Sequence, residues 1–122
     1  MPKPTVSKLV MIRKTDEFSS VFSFRKRFTS EYLVIHYKPN QMRTLRVGFV
    51  VAKKITKLAV QRNYMRRVLR ELCRQEQLEL DNVDIVIQVK KPFYNAQFSE
   101  LKQELVHVFG KIQHRLSRMY SE

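Results

Sequence analysis

Residues 53–71 have the sequence KKITKLAVQRNYMRRVLRE, which leads from an apolar segment into a predicted helix with arginines on one side. At about 100° per residue, side chains four positions apart differ by only about 40°, so arginines with this spacing form one basic arc. An apolar stripe lies next to the arc and scarcely overlaps it. The arc contains Arg62, Arg66, Arg70 and Arg74 with Asn63 and Arg67, and the stripe contains Leu58, Met65, Val68, Leu69 and Leu72.

The basic arc favours a binding surface over an ordinary solvated helix face. A solvated face usually mixes charges of both signs at i,i+4, whereas the arginines of the arc are all positive and repel one another. We therefore expect the apolar stripe to pack against the rest of the protein and the basic arc to meet an anionic partner.

The composition predicts one soluble domain with an anionic partner. The chain has 122 residues, 43% of them hydrophobic, enough to bury a core without disulfides or a structural metal. Lys and Arg total 24 against 11 acidic residues, so the net charge is +13 and nucleic acid is the first candidate partner, ahead of an anionic membrane surface. The stripe is needed for the core, which disfavours a membrane-surface helix, and no run of about 18 apolar residues predicts a membrane span.

The cysteine and histidine content argues against disulfides and zinc. Cys73 is the single cysteine and lies at the edge of the apolar stripe, where we expect a small core residue. His36, His107 and His114 lack the spacing of a metal-ligand set. Residues 1–14 have no long apolar core of a secretion signal, so we expect a cytoplasmic protein.

Hydrophobic periodicity predicts an α+β sandwich with the element order α-β-β-(β)-α-β-α. Residues 1–13 are expected to form an irregular basic arm and residues 14–122 a single domain. The first two main strands are expected to pair as an antiparallel hairpin. The predicted elements are a helix from Thr15, whose side chain is a candidate cap, strands at 32–37 and 45–51, a helix at 58–78, a strand at 83–89 and a helix at 99–119.

The segment Val47–Glu71, VGFVVAKKITKLAVQRNYMRRVLRE, resembles the bacterial ribonuclease P protein component, whose pattern is roughly VGxxVxKKxxxAVxRNxxKRxxRE. The resemblance extends to EFSSVF at residues 17–22 and DIVIQVK at residues 84–90, and so covers almost the whole chain. It implies an α-β sandwich like the second domain of a ribosomal small-subunit protein, with a left-handed βαβ crossover. The handedness follows from the resemblance alone, because the usual crossover is right-handed.

The resemblance also implies the function of a ribonuclease P subunit. In that family the protein binds a large catalytic RNA, and the complex hydrolyses precursor tRNA to remove its 5′ leader. The expected partners are therefore the catalytic RNA and precursor tRNA, in a complex of one protein with one RNA, and no membrane. The chemistry is expected from the RNA and the Mg²⁺ that it holds, with no catalytic residue, metal ligand or cofactor in the protein.

The expected surface for the catalytic RNA is the loop and basic arc of the opening segment. Guanidinium groups make bidentate phosphate contacts that do not depend on base sequence. Glu71 is expected to pair with Arg67 or Arg74 rather than to bind a metal. Tyr64 replaces a frequent arginine of the family but points away from the arc. The residues assigned by the resemblance are Lys53, Lys54, Arg62, Asn63, Arg66, Arg67 and Arg70.

The second expected surface is an aromatic cleft for the single-stranded leader, between the first helix and the sheet. Phe18 and Phe22 match the family pattern, and packing of an amphipathic helix explains them equally well. Strand alternation places Tyr32, Val34 and His36 on one face and Leu33, Ile35 and Tyr37 on the other. Whether His36 or Tyr37 faces the cleft stays open at this point. The assigned cleft residues are Phe18, Phe22, Tyr32, His36 and Tyr37.

Two other functions fit parts of the sequence. A ribosomal-type RNA-binding protein has a similar composition, and the ordered basic run argues against it. A self-sufficient nuclease needs clustered carboxylates or a histidine and acid pair, whereas Asp81 and Asp84 stand apart at a turn and a strand start. Gly48 and Gly110 are the only glycines, which excludes a glycine-rich phosphate loop.

Overall fold

The computed structural model describes residues 10–42, 44–76, 80 and 82–120. It confirms the α+β class, with helices on both faces of one sheet. The elements are β1 (Val10–Met11), α1 (Thr15–Phe24), β2 (Lys26–Thr29), β3 (Leu33–Pro39), β4 (Leu45–Val50), α2 (Ala59–Glu76), β5 (Val83–Val89) and α3 (Phe98–Tyr120), with a 3-10 turn at Asn95–Gln97 before α3.

The sheet has five strands in the order β1-β4-β5-β3-β2, so β5 lies at its centre. β5 pairs parallel with β4 and antiparallel with β3. The predicted hairpin between β3 and β4 is therefore wrong, because β5, which is apolar and buried along nearly its whole length, inserts between them. β4, α2 and β5 form the expected βαβ unit, and its handedness stays a prediction.

The sheet divides the protein into two unequal layers. Odd-numbered residues of β5, such as Ile85 and Ile87, belong to the main core, which is completed by α2 and α3. Even-numbered Val86 belongs to a smaller cluster beneath α1, with Ile12 and Val21. Since strand side chains alternate between faces, this register decides which residues of β3 and β4 lie beneath α1. No helix in the described residues is long and apolar enough to cross a bilayer.

α1 is fixed to the sheet by a chain of charged hydrogen bonds. Glu17 Oε1 accepts the backbone N–H groups of Arg13 (3.3 Å) and Lys14 (3.2 Å), so Glu17 caps the helix from within and Thr15 is its first residue rather than its cap. Glu17 Oε2 also accepts from Arg46 Nη1 at 2.8 Å. Arg46 in turn makes two hydrogen bonds to the buried Asp84, at 2.9 and 2.6 Å. This network therefore joins α1, β4 and β5.

The predicted N-terminal arm includes part of the sheet. Residues 1–9 lie outside the described residues. Val10 and Met11 pair in parallel with β4, and the Ile12 N–H donates to the Val47 carbonyl at 2.9 Å. Ile12 is buried beneath α1, so residues 10–12 are not irregular. The burial of this apolar side chain and the pairing with the edge of β4 hold them in place. The division of the chain at residue 13 stays a prediction.

Gly48 allows α1 to lie close against β4. A Cβ atom at Gly48 would lie 2.5 Å from Phe18 Cε1, 2.7 Å from Phe18 Cζ and 3.3 Å from Ile12 Cβ. The two separations from the Phe18 ring are shorter than carbon atoms tolerate, so a side chain here would displace that ring. Gly110, on an open face of α3, has no heavy atom within 4 Å of the corresponding position.

We expect Gly48→Ala to lower the free energy of unfolding by about 1–3 kcal/mol through overpacking. Gly110→Ala is the matched control, and it should raise that free energy by roughly 0.5–1 kcal/mol, because alanine replaces glycine within a helix without a clash. Urea denaturation of both variants measures the difference. Equal shifts in the same direction would contradict the close contact between α1 and β4.

Candidate RNA interface

α2 presents the basic arc because its apolar stripe is held in the main core. Met65, Leu69, Leu72 and Cys73 are buried against the sheet and α3. Burial also raises the pKa of the Cys73 thiol to about 12, so it behaves as the neutral core residue that the sequence predicts. Leu58 is 58% exposed, contrary to its assignment to the stripe, because the helix begins one residue later.

The arc borders a pocket of about 300 Å³ beside strands β1 and β4. Arg66 is half-buried there, and its Nη1 nitrogen is inaccessible to solvent with no hydrogen-bond partner among the described residues. A buried donor without an acceptor costs about 1–3 kcal/mol, so such groups need an explanation. The lining residues are Met11, Phe49, Asn63, Arg66, Arg67 and Arg70.

The other assigned basic residues lie at the start of α2. Arg62 Nη1 donates to the carbonyl oxygens of Thr56 and Lys57, both at 3.0 Å, so this guanidinium closes the turn before the helix and does not line the pocket. Lys53 and Lys54 are exposed in the same connection, in a turn closed by the Ile55 N–H and the Ala52 carbonyl at 3.0 Å. The pocket thus contains four of the seven assigned residues, Asn63, Arg66, Arg67 and Arg70.

Glu71 and Tyr64 have the structural roles that the sequence predicts. Glu71 forms an ion pair with Arg74, and this hydrogen bond is the main reason that the pKa of Glu71 is lowered. Tyr64 lies away from the arc, and its hydroxyl hydrogen-bonds to Asn95 before α3. Arg74 is therefore neutralised within the helix, unlike the arginines of the pocket.

Phe18, Phe22 and His36 meet on the α1 side of the sheet. Phe22 and His36 are in edge-to-face contact, with ring centroids 4.5 Å apart and an interplanar angle of 72°. Both phenylalanines are only half-buried, and Phe18 covers Gly48. They pack against the small cluster beneath α1 while keeping accessible surface, so the packing role and the proposed binding role are compatible.

Tyr37 and Tyr32 lie on the opposite side, so their assignment to the cleft is wrong. Tyr37 is paired with Ile85 in the sheet and stacks on Phe28 in the main core, with centroids 5.9 Å apart. Tyr32 precedes β3 in a bend, where strand alternation does not apply. Its backbone N–H donates to Glu104 Oε1 of α3 at 3.1 Å, and its side chain packs against the main core.

The structure adds Gln88 and Arg27 to the surface beneath α1. His36 Nε2 and Gln88 Oε1 are hydrogen-bonded at 2.9 Å. Arg27 is the partner of His36 in the register of β2 and β3, and it is exposed. Side-chain alternation along β5 could have indicated that Gln88 lies on this face. The position of Arg27 depends on the pairing of β2, a short strand that the sequence left optional. The described residues contain no group of three or more His, Cys, Asp or Glu side chains placed to hold a metal ion.

Comparisons with known proteins identify the family. The family model for ribonuclease P matches residues 6–113. The chain is 41% identical over 101 residues to the ribonuclease P protein component of Azoarcus sp. strain BH72, covering 83% of this chain and 84% of the relative. It is 43% identical over 99 residues to the ribonuclease P protein component of Chromobacterium violaceum, which covers 81% of this chain and 82% of the relative. The chain belongs to the ribonuclease P protein family.

Solved structures of the family share the fold. The Staphylococcus aureus RNase P protein superposes with a TM-score of 0.73 at 21% identity, covering 83% of this chain and 95% of that protein. The Thermotoga maritima RNase P protein superposes with a TM-score of 0.59 at 26% identity, covering 88% of this chain and 96% of that protein. The predicted fold class and family resemblance are therefore confirmed.

Burial beneath α1 disfavours the imidazolium and so lowers the pKa of His36 below its ordinary value of 6.5. The hydrogen bond with Gln88 partly opposes this effect, and the charge of Arg27 lowers the pKa of His36 further. Between the two pKa values the unfolded chain binds more protons than the folded protein, so the free energy of unfolding should rise with pH up to about 6.5. An NMR titration of the imidazole checks the sign. Gln88→Leu should lower the pKa of His36 further, and a pKa of His36 at or above 6.5 would contradict the geometry.

Proposed function

We propose that this chain is the protein subunit of ribonuclease P, which binds the catalytic RNA and the 5′ leader of precursor tRNA during removal of the leader. Family membership supports the subunit. The observation that carries the RNA-binding part is the pocket lined by Asn63, Arg66, Arg67 and Arg70, with no carboxylate among the described residues that line it.

The catalytic-RNA surface consists of α2 and the connection before it. Arg67 and Arg70, which are exposed, offer charge-assisted hydrogen bonds to RNA phosphates, and the half-buried Arg66 adds positive charge to the pocket. Asn63 supplies a donor and an acceptor for a sugar or base edge. Lys53 and Lys54 extend the positive surface beyond the helix, while Arg62 holds the turn that presents them.

The leader surface lies beneath and beside α1. Phe18 and Phe22 offer half-buried rings on which an unpaired base or a sugar packs, and the neutral His36 with Gln88 offers hydrogen-bonding edges. Arg27 supplies a positive charge for the phosphate backbone of the RNA leader. This surface selects single-stranded RNA, because bases in a duplex have no free face for stacking.

The chemical step belongs to the RNA. In this proposal RNA phosphates hold most of the Mg²⁺ of the reaction, and no protein residue cleaves the bond. The protein neutralises phosphates and positions the leader. It acts in the cytoplasm as one protein bound to one RNA.

Reconstitution with a bacterial ribonuclease P RNA at low Mg²⁺ tests the proposal. The chain should restore 5′ processing of precursor tRNA, and it should increase the affinity of the complex for precursor over mature tRNA. The protein without RNA should cleave nothing. Failure to stimulate processing, together with tight binding to ribosomal RNA, would favour the ribosomal-type function, and cleavage by the protein alone would favour a nuclease.

Arg66→Met and Arg70→Met should each reduce the slope of log affinity against log salt by about one unit, because each removes a phosphate contact. Arg74→Met is the matched control: it removes an arginine from the same helix, but one already paired with Glu71. Binding of the catalytic RNA is measured over a series of salt concentrations. A salt slope that changes as much for Arg74→Met as for Arg66→Met would contradict the assignment of the pocket.

A further inference from the structure

A groove of about 610 Å³ lies between β2 and α3, on the side of the sheet opposite α1. Phe28 forms its wall on β2, and its pairing with Ile35 places it on the main-core side. No carboxylate is among the described residues that line it. The lining residues are Phe28, Val106, His107, Gly110, Lys111, His114 and Arg115.

Two cations are held over the aromatic ring of the groove. Lys111 Nζ lies 5.5 Å from the Phe28 centroid, and Arg115 Cζ lies at the same distance. A cation held against an aromatic ring loses less freedom when it binds a ligand, and its remaining N–H donors stay available. The groove therefore has positive charge arranged in advance for an anion.

α3 gives the groove a polar wall and an open floor. At about 100° per residue, His107, Lys111, His114 and Arg115 fall within about 100° of one another on the helix. Val106 is 47% exposed beside them, and Gly110 has empty space where a side chain would project. Charged and imidazole groups next to an apolar floor suit a ligand with anionic and flat apolar parts in alternation, which is the chemistry of a single RNA strand.

β2 connects this groove with the surface beneath α1. It is an edge strand, and neighbouring residues point to opposite faces: Arg27 beside His36 and Phe28 beside α3. Lys26 and Arg27 are both exposed. A strand of RNA that leaves the α1 side can thus cross the edge of the sheet along basic residues and enter the groove.

We propose that the β2–α3 groove binds a second segment of single-stranded RNA, with phosphates on Lys111 and Arg115 and a sugar or base against Val106 and Gly110. In the complete complex, this segment is the part of the leader farther from the cleavage site. That last assignment rests on the proposed function, whereas binding of single-stranded RNA by the groove does not.

Gly110→Gln tests the groove without removing a charge, because it fills the open space and replaces glycine with a better helix former. Affinity of the free protein for an oligouridylate of about 12 nucleotides should fall roughly tenfold. Gly110→Ala is the graded comparison and should cause a much smaller loss of affinity, since a methyl group leaves most of the groove open. Unchanged affinity in Gly110→Gln would overturn the proposal, as would an equal loss in both variants.

Lys111→Met combined with Arg115→Met should reduce the salt slope for the same oligouridylate by about 1.4, at about 0.7 per single-strand phosphate contact. Lys102→Met is the matched control on α3, because nine residues separate it from Lys111 and place it about 180° away around the helix. Thermal unfolding shows whether the variants stay folded. A slope unchanged in the double variant, or binding of an acidic peptide that the double variant loses while RNA binding persists, would overturn the proposal.

Leader length separates this inference from the proposed function. In the reconstituted complex, the double variant should weaken binding of precursor tRNA with a leader of about 15 nucleotides and leave binding with a leader of about 5 unchanged. Equal binding of both substrates, with processing intact, would refute the leader assignment alone. If the unsubstituted protein failed to support processing, the proposed function would be refuted. The oligouridylate measurements would still test whether the groove binds single-stranded RNA.

Discussion

The central position of β5 is the constraint on which the rest of the structure depends. Residues 83–88 of this strand have partners on both sides, so the alternation of side chains along β5 fixes which residues of β3 and β4 share each face. Val86 brings His36 and Gly48 to the face beneath α1, while Ile85 sends Tyr37 and Val47 to the main core. A shift of one residue would exchange these sets and expose the apolar face of the sheet.

The two faces use different kinds of contact. The main core closes by burial of apolar side chains from α2 and α3, and this burial turns the arginines of α2 outward. The α1 face has few buried residues and depends on close approach at Gly48 and on the Glu17, Arg46 and Asp84 network. Its phenylalanines stay half-buried for that reason, which leaves aromatic surface available on a positively charged protein.

Local patterns predicted the parts of the site that lie within one element. The basic arc, buried Cys73 and a pairing of Glu71 with Arg67 or Arg74 follow from helical spacing, and the structure selects Arg74. Phe18 and Phe22 follow from the i,i+4 pattern of α1. The prediction for Tyr32 was wrong because Glu104 of α3 holds a bend that sequence alternation does not reveal. Arg62 was grouped with the basic arc, but two backbone carbonyls hold its guanidinium at the turn before α2.

The sequence by itself determined the fold class, the helices and main strands, the family and the face of α2 that carries positive charge, because these depend on residue spacing over short distances. Tertiary structure decided that β5 separates β3 from β4, that His36 rather than Tyr37 lies beneath α1, and that Arg66 has a buried nitrogen in a pocket. It also brought Phe28 of β2 to Lys111 and Arg115 of α3. These arrangements join residues far apart in the chain, and only strand register and packing bring such residues together.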